Sequence, residues 1–139
     1  MGNFGILKNY TNSPNEVANF LKEILRELVE PVCPFSQYER FRDISKTLTQ
    51  EQKLAKIIDL LQGLEELNRS TLIYLARFFK QVSEHEAKNK MGMYNLAIII
   101  TPNLFKSNKL TGMDLMNHGT LTDVFMMLMT HVDAVISEI

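Results

Sequence analysis

Apolar residues recur at helical spacing along most of the chain, and the first such stripe follows a strong helix-start pattern. Residues 13–16 read Ser-Pro-Asn-Glu, which supplies an N-cap, a proline at the first helical position and a capping-box glutamate in order. The stripe then consists of Val17, Phe20, Leu21, Ile24, Leu25 and Leu28. This spacing predicts an amphipathic helix that buries the stripe and ends by Pro31, because proline interrupts the helical hydrogen-bond ladder.

Three more helices are predicted between residues 36 and 86. Ser36 with Glu39, and Thr49 with Gln52, each have the spacing of a capping box, which predicts helices reaching about residues 47 and 61. Asn68 is interpreted as the N-cap of a long helix that runs to about residue 86. The apolar stripe of that helix consists of Leu72, Leu75, Ala76, Phe79 and Val82.

The last third of the chain is more uniformly apolar. Residues 90–100 are apolar on nearly every side, which predicts a central buried helix that Pro102 stops. The run Ile98-Ile99-Ile100 is also typical of a strand, but no segment with period-two alternation could pair with it. A short helix near residues 113–117 and a final one at about 121–136 complete the pattern. The sequence predicts an all-α, single-domain helical bundle over residues 13–139, with residues 1–12 as a frayed N-terminal extension.

Composition and charge exclude several classes of partner. The 139 residues carry 15 Lys and Arg against 16 Asp and Glu, so no global basic field exists to bind nucleic acid. The longest apolar runs, 96–100 and 124–129, are far shorter than the roughly 20 residues that cross a bilayer, and direct membrane insertion is not expected. The single Cys33 cannot form an internal disulfide, which favours a cytoplasmic location. The oligomeric state is left open.

The sequence carries little chemistry of its own. The six glycines form no phosphate-binding loop, so no nucleotide site is expected. His85, His118 and His131 are too far apart in sequence to suggest a zinc site, and Cys33 has no neighbouring histidine that could activate it. We therefore expect neither a metal nor another cofactor.

Several motifs occur in an order that resembles the RhoGAP domain family. Residues 17–32 read VANFLKEILRELVEPV and resemble the family's "LK-x-x-LREL-x-EPL" helix. Residues 64–68, LEELN, look like its "LP-x-x-N" helix start. The sequences NKM at 89–91, NLA at 95–97 and PNL at 102–104 then match the "NKM…NLA…PNL" pattern. The resemblance spans roughly residues 17–133.

The resemblance implies a helical module that binds a GTP-loaded Rho- or Rac-family small GTPase at its switch regions and stimulates GTP hydrolysis. Such a module is an activator rather than an enzyme in its own right. Lys22 and Arg26 match the family's conserved basic pair, Asn95 matches an asparagine that contacts the switch region, and Asn19 lies beside the pair. Pro102 and Asn103 are interpreted as structural.

One family feature is not matched. The family places an arginine finger in a "G-x-x-R-x-S-G" loop upstream of the LREL helix, whereas the first arginine of this chain is Arg26. The run GILK at residues 5–8 resembles that loop with Lys8 at the arginine position. Lysine is a point charge without a bidentate fork, so weak or noncanonical stimulation is expected.

Two alternatives to stimulation remain: a catalytically inactive GTPase-binding module, and an unrelated helical scaffold. For the basic pair, the alternative is that Arg26 forms an ion pair with Glu30 while Lys22 is merely solvated.

Overall fold

Helices make up nearly all of the regular structure in the computed structural model, which describes residues 14–44, 46–108 and 112–139. Within these ranges there are eight helices and no strand. They are α1 (Pro14–Glu27), α2 (Phe35–Arg42), α3 (Gln50–Gln62), α4 (Glu66–Ser83), α5 (Glu86–Asn89), α6 (Met93–Leu104), α7 (Gly112–Thr130) and α8 (Val132–Glu138). The predicted all-α class is confirmed. The predicted boundary between an extension and the domain, after residue 12, lies outside the described residues.

Helices α6 and α7 form the centre of the bundle. They pack along each other, α1 and α4 pack on α6, and α2, α3, α4 and α8 pack on α7. Where these layers meet, the ring of Phe105 lies edge-on to Phe41 and Phe125, with centroid distances of 5.5 and 6.5 Å. All three rings are buried, so this aromatic cluster joins α2, the end of α6 and α7.

The connection between α1 and α2 is tied to two distant elements. The N–H of Cys33 donates to the carbonyl oxygen of Leu104 at 3.0 Å, in an isolated parallel bridge. The Asn68 side chain donates to the carbonyl oxygen of Val32, also at 3.0 Å. Helix α4 begins at Glu66, so Asn68 lies inside it and the prediction that Asn68 is the N-cap is wrong. The Asn68 side chain bonds a remote carbonyl oxygen instead of the start of its own helix.

One of the two predicted capping boxes is present. Thr49 and Gln52 exchange both hydrogen bonds, at 3.0 and 3.2 Å, at the start of α3. The Ser36 box is wrong because α2 already begins at Phe35, after Pro34. The N–H of Phe35 donates to the Glu30 carboxylate at 3.1 Å.

The NKM sequence forms a turn between α5 and α6. Lys90 has a φ of 60°, a left-handed conformation that non-glycine residues seldom adopt. The side chain of Asn89 holds this turn. Its Nδ2 donates to the carbonyl oxygen of Val82 at 2.9 Å, and its Oδ1 accepts from the Met91 N–H at 2.8 Å. A Cβ on Gly92 would lie 2.7 Å from a carboxylate oxygen of Glu86, but this oxygen is the end of a flexible, exposed side chain that can move aside.

Helix α6 differs from its prediction in bounds and in burial. It begins at Met93 and continues through Pro102 to Leu104, so the proline occupies the last turn instead of ending the helix. Only one side faces the core, since Ile98 and Ile99 are 46% and 42% exposed. The prediction of burial on every side is therefore wrong, because no described element covers the outer side of α6.

The C-terminal part is one long helix followed by a short one. Helix α7 is continuous to Thr130, and the chain then bends at His131 into α8, whereas the sequence pattern predicted a break before residue 121. Among the described residues, no single helix is long and apolar enough to cross a membrane. The pair Gly119–Thr130 and Val132–Glu138 would meet that test only jointly, and it is bent by 76°.

Candidate functional site

Helix α1 buries only a narrow part of its predicted apolar stripe. Leu25 is buried and Leu21 is half-buried. Val17, Phe20 and Ile24 are 45–56% exposed, because α1 packs mainly on α6 and no other described element covers this side. The expectation that the whole stripe is buried is wrong. An exposed apolar strip runs along one side of the buried line.

Lys22 and Arg26 lie on the other side of the buried line that Leu21 and Leu25 form. Asn19, Lys22 and Arg26 project within about 60° of one another around the helix axis, given 100° per residue. Asn19 and Arg26 are exposed and Lys22 is half-buried. We call these three residues the cationic ridge. The structure brings them together on one face of α1, as their spacing predicted.

Neither cation of the ridge is neutralised within the described part of the chain. No carboxylate oxygen there lies within 4.0 Å of the Lys22 or Arg26 nitrogens. The alternative of an Arg26–Glu30 ion pair is wrong, since Glu30 instead accepts the N–H of Phe35. The ridge therefore offers two charged groups to a partner without first breaking an ion pair with any described residue.

Lys106 fixes the end of α1 that carries the ridge. Its ammonium donates to the carbonyl oxygens of Arg26 and Leu25, at 2.5 and 3.5 Å. Burial lowers the pKa of Lys106, a shift that the charge of Glu27 opposes and that of Arg26 reinforces. A cation at the C-terminal end of a helix also complements the helix dipole. Lys106 thus positions Arg26 through its backbone, a role that no local sequence pattern indicated.

We expect Lys106→Met to lower the free energy of unfolding by about 1–2 kcal/mol, because the last carbonyls of α1 lose a charged donor. Urea unfolding followed by circular dichroism measures this loss. Lys88→Met is the matched control, since Lys88 is exposed on α5 and its side chain has no partner among the hydrogen bonds and ion pairs of the described residues. Equal stability of the two variants would show that the Lys106 contact contributes nothing.

Asn95 lies at the end of α6 that is remote from Lys106. It is exposed in the first turn, about 13 Å along the axis from Leu104 at a rise of 1.5 Å per residue. Asn103 is in the last turn of α6, next to the segment that carries Lys106. Its side-chain Nδ2 donates to the carbonyl oxygen of Ile99 at 3.1 Å. Of the two α6 asparagines, Asn103 is therefore nearer to the α1 terminus. From the sequence, Asn103 was expected to have only a structural role.

The histidines and Lys8 lie apart from the cationic ridge or outside the described residues. No group of three metal-ligating side chains occurs there. His85 and His131 precede α5 and α8 as N-cap residues, without capping side-chain hydrogen bonds. Lys8 lies outside the described residues, as does the side chain of His118.

Cys33 is fully buried, and burial raises the pKa of its thiol to about 12. Because thiolate is the reactive form, we expect iodoacetamide at neutral pH to modify the folded protein about a thousandfold more slowly than the unfolded chain. Mass spectrometry with and without denaturant measures the two rates. Reaction should accelerate as pH rises. Rapid labelling of the folded protein at neutral pH would contradict this burial.

Comparison with known proteins assigns the fold and the α1 motif to a family. A sequence model of the RhoGAP domain matches residues 3–109. This chain belongs to the RhoGAP domain family. The resemblance carried by the LREL and NKM…NLA…PNL motifs is confirmed, and the alternative of an unrelated helical scaffold is wrong.

Curated relatives and solved structures agree with this assignment. The chain is 32% identical over 133 residues to Rho GTPase-activating protein 17 of Mus musculus, covering 96% of this chain and 15% of that protein. It is 34% identical over 98 residues to Rho GTPase-activating protein 44 of Homo sapiens, covering 70% and 12%. The chain thus spans less than a sixth of these relatives.

Among solved structures, the BH domain from Graf, the GTPase regulator associated with focal adhesion kinase, superposes with a TM-score of 0.75 at 24% identity. The match covers 84% of this chain and 63% of that one. Human Rho GTPase activating protein 15 also gives a TM-score of 0.75 at 24% identity, covering 83% and 55%. At this identity, the two structures support the fold alone.

Proposed function

We propose that this RhoGAP domain binds a Rho- or Rac-family small GTPase in its GTP-loaded state, at the switch regions, and weakly stimulates GTP hydrolysis. The observation that carries the proposal is the cationic ridge. Lys22 and Arg26 lie on one face of the helix that bears the family's LREL motif, and neither has an ion-pair partner among the described residues. Family membership and the names of the relatives, which are Rho GTPase-activating proteins, support the same partner class.

The chemistry of hydrolysis belongs to the GTPase, which binds the nucleotide and the attacking water. An activating domain contributes by ordering the switch segments and by placing positive charge where the transition state gains negative charge. An arginine finger supplies about 10³–10⁵ in rate. Residues 5–8 read GILK, with a lysine at the position that the finger loop gives to arginine, and we propose that Lys8 acts there as a poor substitute and that stimulation falls well below this range.

Binding should depend on the nucleotide, because a module that recognises ordered switches must have a higher affinity for that state. We expect the GTPase loaded with a nonhydrolysable GTP analogue to bind at least about tenfold more tightly than its GDP form. Calorimetry with both forms of several Rho-family members measures the difference. Equal affinities would refute the proposal.

Single-turnover hydrolysis, with and without the domain, distinguishes stimulation from binding alone. Weak acceleration supports the proposed activity, and nucleotide-dependent binding without acceleration favours the inactive GTPase-binding module instead. A rate equal to that of an activator with an arginine finger would show that another residue replaces the arginine. The expected cytoplasmic location stays a prediction.

The asparagine of the interface can be tested with a matched pair of variants. Asn95 is the residue that the family resemblance implies, whereas Asn103 lies nearer to the α1 terminus that Lys106 fixes. Comparing Asn95→Ala with Asn103→Ala in the calorimetric assay assigns the contact. A loss confined to Asn95→Ala supports the residue chosen from sequence, and a loss confined to Asn103→Ala moves the interface to the C-terminal end of α6.

A further inference from the structure

A cleft of about 280 Å³ opens between α3 and α7, on helices other than the one that carries the cationic ridge. Along α3 it is lined at successive turns by Gln50, Lys53 and Ile57, and the facing side of α7 contributes Val124 and Met127. Nothing in the proposed GTPase interaction uses this cleft.

The floor of the cleft is hydrocarbon. Ile57 is fully buried beneath the cleft and Val124 is 6% exposed, so packing in the bundle holds both side chains in place. Met126 and Met127 are only partly buried against the core. Unbranched methionine side chains adjust to irregular apolar shapes, which favours an aliphatic group as the occupant.

The rim is positively charged. Lys46 and Lys53 both line the cleft, and Asp123 is the one carboxylate among its lining residues in the described part of the chain. Neither lysine has a carboxylate oxygen within 4.0 Å in the same described part. His131, half-buried at the end of α7, adds an imidazole. Two ammonium groups above an apolar floor, neither ion-paired with a described residue, fit a ligand with an anionic head and an apolar tail.

The volume limits the size of that ligand. At ~30 Å³ per water molecule, 280 Å³ holds about nine water-sized groups. We propose that the cleft binds a small anionic amphiphile, with a carboxylate or phosphate head near Lys46 and Lys53 and an aliphatic tail of about eight carbons over Val124 and Met127. This proposal does not rest on the GTPase interaction.

Titration of the isotope-labelled chain, followed by amide chemical shifts, tests the ligand class. We expect octanoate or octyl phosphate to bind saturably with a Kd of about 0.1–1 mM, the range open to a ligand of this size. The better of the two identifies the head group. Octanol tests the tail without charge and acetate tests the charge without a tail. We expect each of these to bind at least about tenfold more weakly.

Charge variants locate the site. Lys46→Gln combined with Lys53→Gln should weaken binding by about tenfold or more, whereas Asp123→Asn should strengthen it about two- to threefold by removing a like charge. Lys56→Gln is the matched control, because Lys56 is exposed on the same helix and does not line this cleft. Thermal unfolding establishes that each variant is folded.

Three outcomes would overturn the proposal. The first is equal affinity for octanoate and octanol, which would remove the role of the lysines. The second is an equal loss in Lys56→Gln, which would indicate nonspecific charge attraction. The third is a set of shifts confined to the exposed strip of α1, which would place the amphiphile elsewhere.

Discussion

Arg26→Ala is expected to weaken binding of a GTP-loaded Rho-family GTPase by about 5- to 150-fold, which corresponds to about 1–3 kcal/mol. Arg26 is exposed and has no ion-pair partner within the described residues, so its removal leaves no buried group unsatisfied. The loss should therefore appear in the interface and leave the stability of the domain unchanged. Arg26→Lys should restore only part of the affinity, because an ammonium lacks the planar fork of a guanidinium.

Calorimetry with a nonhydrolysable GTP analogue on the GTPase measures the affinity, and circular dichroism measures helicity. Arg40→Ala is the matched control. Arg40 is an exposed arginine on α2, which packs on α3 and α7 rather than on α1. An unchanged affinity of Arg26→Ala, or a loss shared equally with Arg40→Ala, would return Arg26 to a solvated surface residue. Lost helicity in Arg26→Ala would assign it a structural role.

Phe105→Ala is expected to lower the free energy of unfolding by about 3–5 kcal/mol, the largest loss among the variants proposed for this protein. Its ring is 2% exposed and lies edge-on to two other buried aromatic rings, those of Phe41 and Phe125. Truncation removes these contacts and leaves a cavity at the junction of α2, α6 and α7 that rigid helices cannot close. We expect the melting temperature to fall by about 10 °C or more.

Chemical and thermal unfolding measure this effect. Phe20→Ala makes the same substitution on the exposed strip of α1, where the side chain is 56% exposed, and should cost less than about 1 kcal/mol. Similar losses in the two variants would mean that the aromatic cluster is not central to the core.

The sequence predicted one local capping box correctly and another wrongly, because α2 begins before Ser36, and it predicted no remote hydrogen bond. The box of Thr49 and Gln52 forms as expected because both partners lie within one turn of the same helix. Asn68 was assigned to its own helix start, yet its side chain bonds Val32, which is 36 positions away in the chain. Sequence patterns carry no information about a neighbour that only folding supplies.

The candidate site divides in the same way. Lys22 and Arg26 could be placed on one face because a four-residue spacing fixes their relative direction on any helix. Lys106 could not be found, because its contact with the Arg26 carbonyl joins residues 80 positions apart. The exposure of Ile98 and Ile99 was missed for a related reason: hydrophobicity does not reveal which side of a helix lacks a covering neighbour.

The sequence by itself determined the all-α class and the cationic ridge, because both follow from spacings within single helices, and its ordered motifs carried the resemblance to the RhoGAP family. Only the tertiary structure decided which side of α1 is buried, which end of α6 lies beside Arg26, and that a charged cleft forms between α3 and α7. These features depend on how separate helices pack, and packing is set jointly by residues that are far apart in the chain.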